Sequence, residues 1–319
     1  MTGCIILAAG QGKRMLSDLP KVIHPVLGLP MLVRVIRQAR AAGLVEPVVV
    51  VGHGRELVIP LIESEGATWA VQEEQLGTAH AVRCGLDALA GAESITVLLG
   101  DVPLLQSGTV GLLEETRKRC GAAVAVLTTC PPDPAGYGRV IREGRMLREI
   151  VEDRDCTPEQ LLTGEINTGL MSFDGGVLPG LLDEIGTDND QGEYYLTDAV
   201  SVAAGRGLPC IAVEAADHRE VSGVNDRVQL AAATEILRTR VLEDLMRGGT
   251  CIPDPGSVWV EEDVHVGRDV YLGRGCRLSG DTRIGDSCTV GDGCVLIDAD
   301  LPGGTVLEPY TVIGWKGAD

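Results

Sequence analysis

The 319 residues carry a formal charge of −19 and are 45% hydrophobic but only 3% aromatic, with a single Phe. The length exceeds one typical core and predicts two domains, and the apolar share predicts a sizeable aliphatic interior. The acidic balance argues against nucleic acid or an anionic membrane surface as partner; with no leader-like segment at Met1 and no apolar run of membrane length, a cytoplasmic protein is expected.

In chain order, residues 5–8 form an apolar run that reads as a buried strand. The strand feeds the loop Ala9-Gly10-Gln11-Gly12, which delivers Lys13, Arg14 and then Lys21. Gly10 and Gly12 permit positive φ and close backbone approach. Amides of such a turn at a helix start face an anion. The loop lacks the Gly-Lys-Ser/Thr ending of a P-loop and the third glycine of a dinucleotide fingerprint. Instead it adds full positive charges, which suits the phosphates of a nucleoside triphosphate. An acidic chain with such a substrate also calls for a divalent cation.

Helical spacing follows at 31–42, 78–89 and 107–119, alternating with strand-like runs at 48–51, 95–99 and 122–127. Alternation of this kind predicts an α/β, doubly wound, mostly parallel sheet with ligands at the strands' carboxyl ends. Segments 140–142 and 146–151 flank Glu143-Gly144-Arg145 and read as a hairpin. Residues 225–247 read as a charged amphipathic helix. Beyond it, Val260, Val266, Leu272, Leu278, Ile284, Val290 and Leu296 recur every six residues. A second row, Val258, Val264, Val270, Cys276, Thr282, Cys288 and Cys294, precedes it by two. This hexapeptide pattern predicts a short left-handed parallel β-helix of about three coils, its column slipping after Leu296 and returning as Val306 and Val312. The expected domains are 1–226, a connecting helix 227–249, and a repeat domain 250–319. Ten Cys with no CxxC pair and no zinc-like His spacing predict reduced, mostly buried thiols, those in the repeat serving as interior fillers.

Two further clusters carry chemistry. Gln72 to Ala81 runs from a strand end into a helix: Gln72 offers a carboxamide, and Gly77 and Thr78 open the helix with free amides and a hydroxyl. Read alone, this is equally a helix start capped by Thr78, with His80 held by a local hydrogen bond. Gly100-Asp101-Val102-Pro103 sets one carboxylate just past an apolar strand. No Ser/His/Asp triad or Cys/His pair is found.

The loop, with Pro20-Lys21 after it, resembles the LxxGxGxRM…PK signature of sugar-1-phosphate nucleotidyltransferases, and more closely the uridyltransferase half of bacterial N-acetylglucosamine-1-phosphate uridyltransferases. The resemblance spans roughly residues 3 to 230 and implies a Rossmann-like nucleotidyltransferase sheet. It also implies UTP and N-acetylglucosamine 1-phosphate as substrates. Arg14 would face the leaving phosphates and Lys21 the α-phosphate region. Leu7, Ala8, Ala9, Gly10, Gly12, Gln72, Gly77 and Thr78 would hold the nucleotide. Asp101, with Asn225 of Gly223-Val224-Asn225, would hold Mg²⁺, although Asn225 also suits a helix cap. Gly138, Glu152 and Asn167 would hold the sugar. The segment from Gln191 to Asp198 also matches, without individual roles. Lys13 stands where family members commonly have Thr, and Leu99 where many have an aromatic. The resemblance further implies a homotrimer through the β-helix. Three coils predict no acetyl transfer, an activity that bifunctional relatives carry on longer repeats. Rival readings are a related enzyme with another sugar phosphate or nucleotide, and a non-catalytic regulatory subunit.

Overall fold

The computed structural model describes residues 2–144 and 146–314. Met1, Arg145 of the expected hairpin turn and residues 315–319 of the expected repeat domain lie outside that description. The chain divides into two units: Met1–His24 with Pro30–Asp226, and Pro25–Leu29 with Arg227–Asp319.

The first unit is built on nine strands: β1 Thr2–Ala8, β2 Val45–Val51, β3 Thr68–Val71, β4 Ser94–Leu99, β5 Val124–Thr129, β6 Arg139–Glu143, β7 Met146–Val151, β8 Ile166–Asp174 and β9 Cys210–Glu214. Their order is β9-β5-β8-β4-β1-β2-β3, with β6 joining β8 and β7. The β1, β2, β3 and β4 pairings are parallel, as is β5 with β9. The predicted parallel sheet therefore stands, with one central exception. β8 runs antiparallel between β4 and β5. Hydrophobic periodicity marks strands but does not set their direction.

Helices cover both faces of the sheet. Strand side chains alternate between those faces, so Ile5, Val48, Val97 and Phe173 share one core while Ile6, Val49 and Leu98 share the other. The first core is closed by α3 Thr78–Leu86, α5 Leu178–Glu184 and α6 Asp198–Gly205; the second by α1 Met31–Ala41, α2 Arg55–Ser64 and α4 Ser107–Cys120. Helix α2 escaped the sequence reading, and Pro60 in its interior is the reason. β1 and β4 end side by side, the Gly100 amide donating to the Leu7 carbonyl at 2.9 Å. That register brings the glycine loop and Asp101 to the same edge.

In the second unit, α7 Arg227–Arg247 precedes three stacked faces of short parallel strands, a parallel β-helix. Coils repeat every eighteen residues at first: Trp259 pairs with Arg277, Tyr271 with Thr289. The interval then falls to seventeen, Arg283 pairing with Asp300 and Val295 with Val312. Here one expectation is corrected. The inward column continues as Leu301, Leu307 and Ile313, aligned with Ile284, Val290 and Leu296. Val306 and Val312 are 68% and 55% exposed. Losing one residue shifts the phase, and in a strand a one-residue shift turns a side chain to the opposite face. We expect Leu301→Ala to cost about 2–4 kcal/mol and Val306→Ala less than about 0.5 kcal/mol, read by chemical denaturation; equal effects would contradict the register.

Leu242 of α7 enters the same apolar core as Val258 and Ile252. Arg238 donates to the Pro255 and Val258 carbonyls at 2.6 and 2.8 Å, so the helix satisfies backbone acceptors of the first coil. The repeat cysteines are interior, as expected: Cys276, Cys288 and Cys294 each point a thiol at a backbone carbonyl, of Gly291, Pro302 and Glu308. Burial pushes the Cys276 thiol up to about 11. All ten cysteines are unpaired in disulfide terms, but only five are fully buried, fewer than composition implied. No helix among the described residues is long and apolar enough to cross a membrane.

Candidate active site

A cleft of about 330 Å³ opens at the carboxyl ends of β1 and β4. The expected residues Leu7, Ala8, Ala9, Gly10, Lys21, Gln72, Gly77, Thr78 and Asp101 all line it. Gly12 has φ 62° and lies against Lys21, where an added Cβ would sit 2.6 Å from the lysine Cβ. Glycine at that position lets the loop fold back over the base of the Lys21 side chain.

Lys21 is the electrostatic centre. Its Nζ donates to Asp101 Oδ2 in a short ion pair and to Asn225 Oδ1 at 3.0 Å. The two side chains of the ion pair are 13% and 18% exposed, so water screens it only in part. Asn225 reaches this point because the Val224 amide donates to the Asp101 carbonyl at 2.8 Å, docking the Gly223-Val224-Asn225 segment beside β4. Two hard oxygens already share one cation here. That donor set fits magnesium, which takes oxygen ligands and keeps several waters. Among the described residues no cluster of three or more His, Cys, Asp or Glu offers a fuller metal cage.

Arg14 and Lys13 are exposed on the short 3-10 turn Lys13–Met15 and do not line the cleft. Arg14 nevertheless acts on its surroundings. Burial raises the Tyr137 hydroxyl above the ordinary phenol range, the Asp101 charge raises it further, and the Arg14 charge lowers it. Tyr137 therefore lies within electrostatic reach of both. The sequence gives Tyr137 no individual role.

The opposite wall is formed by the segment entering α3. Gly77 has φ 113°, and a Cβ there would fall 2.5 Å from the Tyr194 carbonyl oxygen. Only glycine allows that approach, which the Tyr194 amide seals by donating to the Leu76 carbonyl at 2.8 Å. Thr78 makes no helix cap with its side chain; its hydroxyl accepts from the Leu196 amide at 2.9 Å. Gln75, given no role from sequence, donates from Nε2 to the Ala9 carbonyl at 2.7 Å and ties this wall to the glycine loop. Its signal was present, since it belongs to the same conspicuous run.

Gly138, Glu152 and Asn167 form a second group. The Asn167 amide donates to the Gly138 carbonyl at 2.8 Å, and a Cβ on Gly138 would meet Glu152 Oε2 at 3.4 Å. Burial raises the Glu152 carboxyl above its usual range; the Thr197 hydroxyl, donating at 3.1 Å, lowers it, and nearby Asp198, Asp155 and Asp153 raise it again. The Asn167 Oδ1 accepts from the Gly169 amide at 2.9 Å, closing a local turn. The two groups are linked by consecutive residues: Leu196 holds Thr78, and Thr197 holds Glu152. Gly169 also packs on Leu99, which lines the cleft where relatives commonly carry an aromatic.

A glycine loop with cationic side chains, a carboxylate–amide pair at the adjoining strand end and a polar wall opposite thus frame a single cleft. Residues 4–155 match the family model described as MobA-like NTP transferase domain. The chain is 45% identical over 267 residues to the bifunctional protein GlmU of Pelobacter propionicus, and 47% identical over 265 residues to that of Pelotomaculum thermopropionicum. Each match covers 82% of this chain and 58% of the relative, so the chain spans somewhat over half the length of the curated relatives it matches. In fold it is similar to a crystal structure of UDP-glucose pyrophosphorylase complexed with UDP-glucose, with a TM-score of 0.60 at 18% identity, covering 75% of this chain and 99% of that one.

Proposed function

We propose that this chain transfers a uridylyl group from UTP to N-acetyl-α-D-glucosamine 1-phosphate, forming UDP-N-acetylglucosamine and pyrophosphate. The observation that carries the reading is the meeting of Lys21, Asp101 and Asn225 at the edge of a cleft walled by Gln72, Gly77 and Thr78.

The sugar phosphate needs no general base, since its second ionisation falls near pH 6 and it is largely dianionic at neutral pH. Its oxygen bonds to the α-phosphorus as the bond from that phosphorus to the bridging oxygen breaks, and pyrophosphate leaves with the electron pair. The protein's task is to align two anions and offset the charge that accumulates. Lys21 supplies a positive charge at the α-phosphate, and Arg14 faces the leaving phosphates. Glycine-loop amides hold the phosphate chain. Asp101 and Asn225 would hold Mg²⁺, which when bound supplies charge neutralisation of the phosphates. Glu152, Asn167 and Gly138 orient the sugar, with the raised Glu152 carboxyl exchanging hydrogen bonds with its hydroxyls.

The same reading makes the protein cytoplasmic. It also makes the protein a homotrimer through the β-helix, in keeping with the exposed Tyr271, Val306, Tyr310 and Val312 on that unit. A pyrophosphate-release panel of four nucleoside triphosphates against N-acetylglucosamine 1-phosphate and glucose 1-phosphate, with and without Mg²⁺, tests the activity. Release is expected with UTP, Mg²⁺ and the acetylated sugar phosphate. A stronger signal with glucose 1-phosphate would move the assignment to a related transferase, and none with any pair would favour a regulatory subunit.

A further inference from the structure

Gln72 of the cleft wall leads back to two side chains that the proposed reaction does not use, His80 and Cys84. We propose that His80 is a positioning residue that fixes the Gln72 carboxamide so that only its oxygen reads the base, selecting a pyrimidine whose N3 carries a hydrogen. The proposal rests on the uridylyl-transfer reading for its substrate, though its geometry stands apart from it.

Gln72 is 4% exposed. Its Nε2 lies 3.0 Å from the Gly77 carbonyl oxygen and 3.1 Å from His80 Nδ1. A carbonyl oxygen only accepts, so the amide end facing Gly77 is the nitrogen. That nitrogen has only hydrogens to offer, and therefore His80 Nδ1 accepts the second one. In the neutral ring the imidazole hydrogen then sits on Nε2, which faces Cys84 Sγ at 3.9 Å. Both hydrogens of the Gln72 amide are thus committed inside the protein.

The carboxamide oxygen makes no hydrogen bond among the described residues, yet it is not sealed from solvent, and Gln72 lines the cleft. An acceptor alone at that point matches a donor. Uracil presents N3–H there, whereas cytosine presents an N3 lone pair, which would leave two acceptors opposed. Sites that leave a polar group unpaired by the wrong ligand discriminate strongly. A His80 serving only as packing would leave the Gly77 carbonyl as the sole hold on the amide orientation, with one amide hydrogen uncommitted.

The test is kcat/KM for UTP and CTP in three proteins: unaltered, His80→Leu and His80→Asn. Leucine removes the acceptor; asparagine can place its Oδ1 where Nδ1 stood. His80→Leu is expected to narrow the UTP-to-CTP preference by about tenfold, the scale of one hydrogen bond, through KM for UTP with kcat little changed. His80→Asn is expected to restore most of the preference. A folded His80→Leu protein with unaltered preference would overturn the proposal. So would an asparagine variant that behaves like leucine. Nitrogen-15 spectra of histidine-labelled protein give a second readout, with an unprotonated Nδ1 expected for His80. A protonated Nδ1 would defeat the assigned orientation. Failure of the unaltered protein to use UTP would instead remove the functional reading, and the tautomer would still decide the geometry.

Discussion

Replacing Lys21 by alanine is expected to lower uridylyl transfer by about two to three orders of magnitude while the fold persists. Lys21 stands on a single 3-10 turn, Lys21–Ile23, whose buried anchor is Val22 rather than the lysine itself. Its Nζ is the cation that the structure sets directly on Asp101 and Asn225. Charge arranged in advance at a transferring phosphoryl group acts mainly on kcat, because the need for it is greatest as the bond to the leaving group breaks. Alanine leaves Asp101 without its ammonium partner at a partly exposed site, which costs stability far less than it costs rate. Steady-state pyrophosphate release, beside circular dichroism of the same preparation, checks both halves. Normal turnover in a folded variant would remove Lys21 from the chemistry.

The second large effect concerns stability. Glu114→Ala is expected to destabilise the first unit by about 3–5 kcal/mol, because it removes the buried acceptor of Ser172 and Thr96 and the carboxylate 3.9 Å from buried Arg117. Glu114 is 7% exposed and Arg117 4% exposed, on α4 over the centre of the sheet. Arg117 donates to Ser172 Oγ at 3.1 Å, to Ser94 Oγ at 2.7 Å and to the Ala122 carbonyl at 3.0 Å. Glu114 receives Ser172 Oγ in a short bond, Thr96 Oγ1 at 3.3 Å and the Lys118 ammonium at 2.9 Å. Together these bonds fasten antiparallel β8 into an otherwise parallel surround. Burial opposes ionisation of Glu114. The hydrogen bonds from Ser172, Ser94 and Lys118, with the Lys118 charge, outweigh it and hold the carboxyl at about 2. Its folded value lies below the ordinary 4.5, so the stabilisation is fully present above that value and fades as pH falls toward 2. Acid unfolding monitored by tryptophan fluorescence should therefore show a transition in that window. Glu114→Gln should flatten it and lower the thermal midpoint at neutral pH. A midpoint unmoved in both variants would show the cluster to be neutral.

Sequence alone determined the chain's periodicities and its chemistry-bearing clusters. Apolar runs at 5–8, 48–51 and 95–99 could bury both faces only inside a sheet covered by helices. The six-residue rows could bury a column only by coiling. Both signals are local, so they survive without coordinates. The loop residues around Gly10, the Gln72–Thr78 run and the Gly100-Asp101 pair were legible for the same reason: each packs its chemistry into a few consecutive positions. Tertiary structure decided what depends on distant partners. It set β8 antiparallel, because the acceptors and donors that hold Ser172 come from α4 and β4. It turned Val306 and Val312 outward, because register is inherited from the coil beneath, where one residue had been lost. It gave Thr78 to Leu196 and Gln72 to His80, since a hydrogen bond's second atom is chosen by packing in space and leaves no spacing in the chain to read.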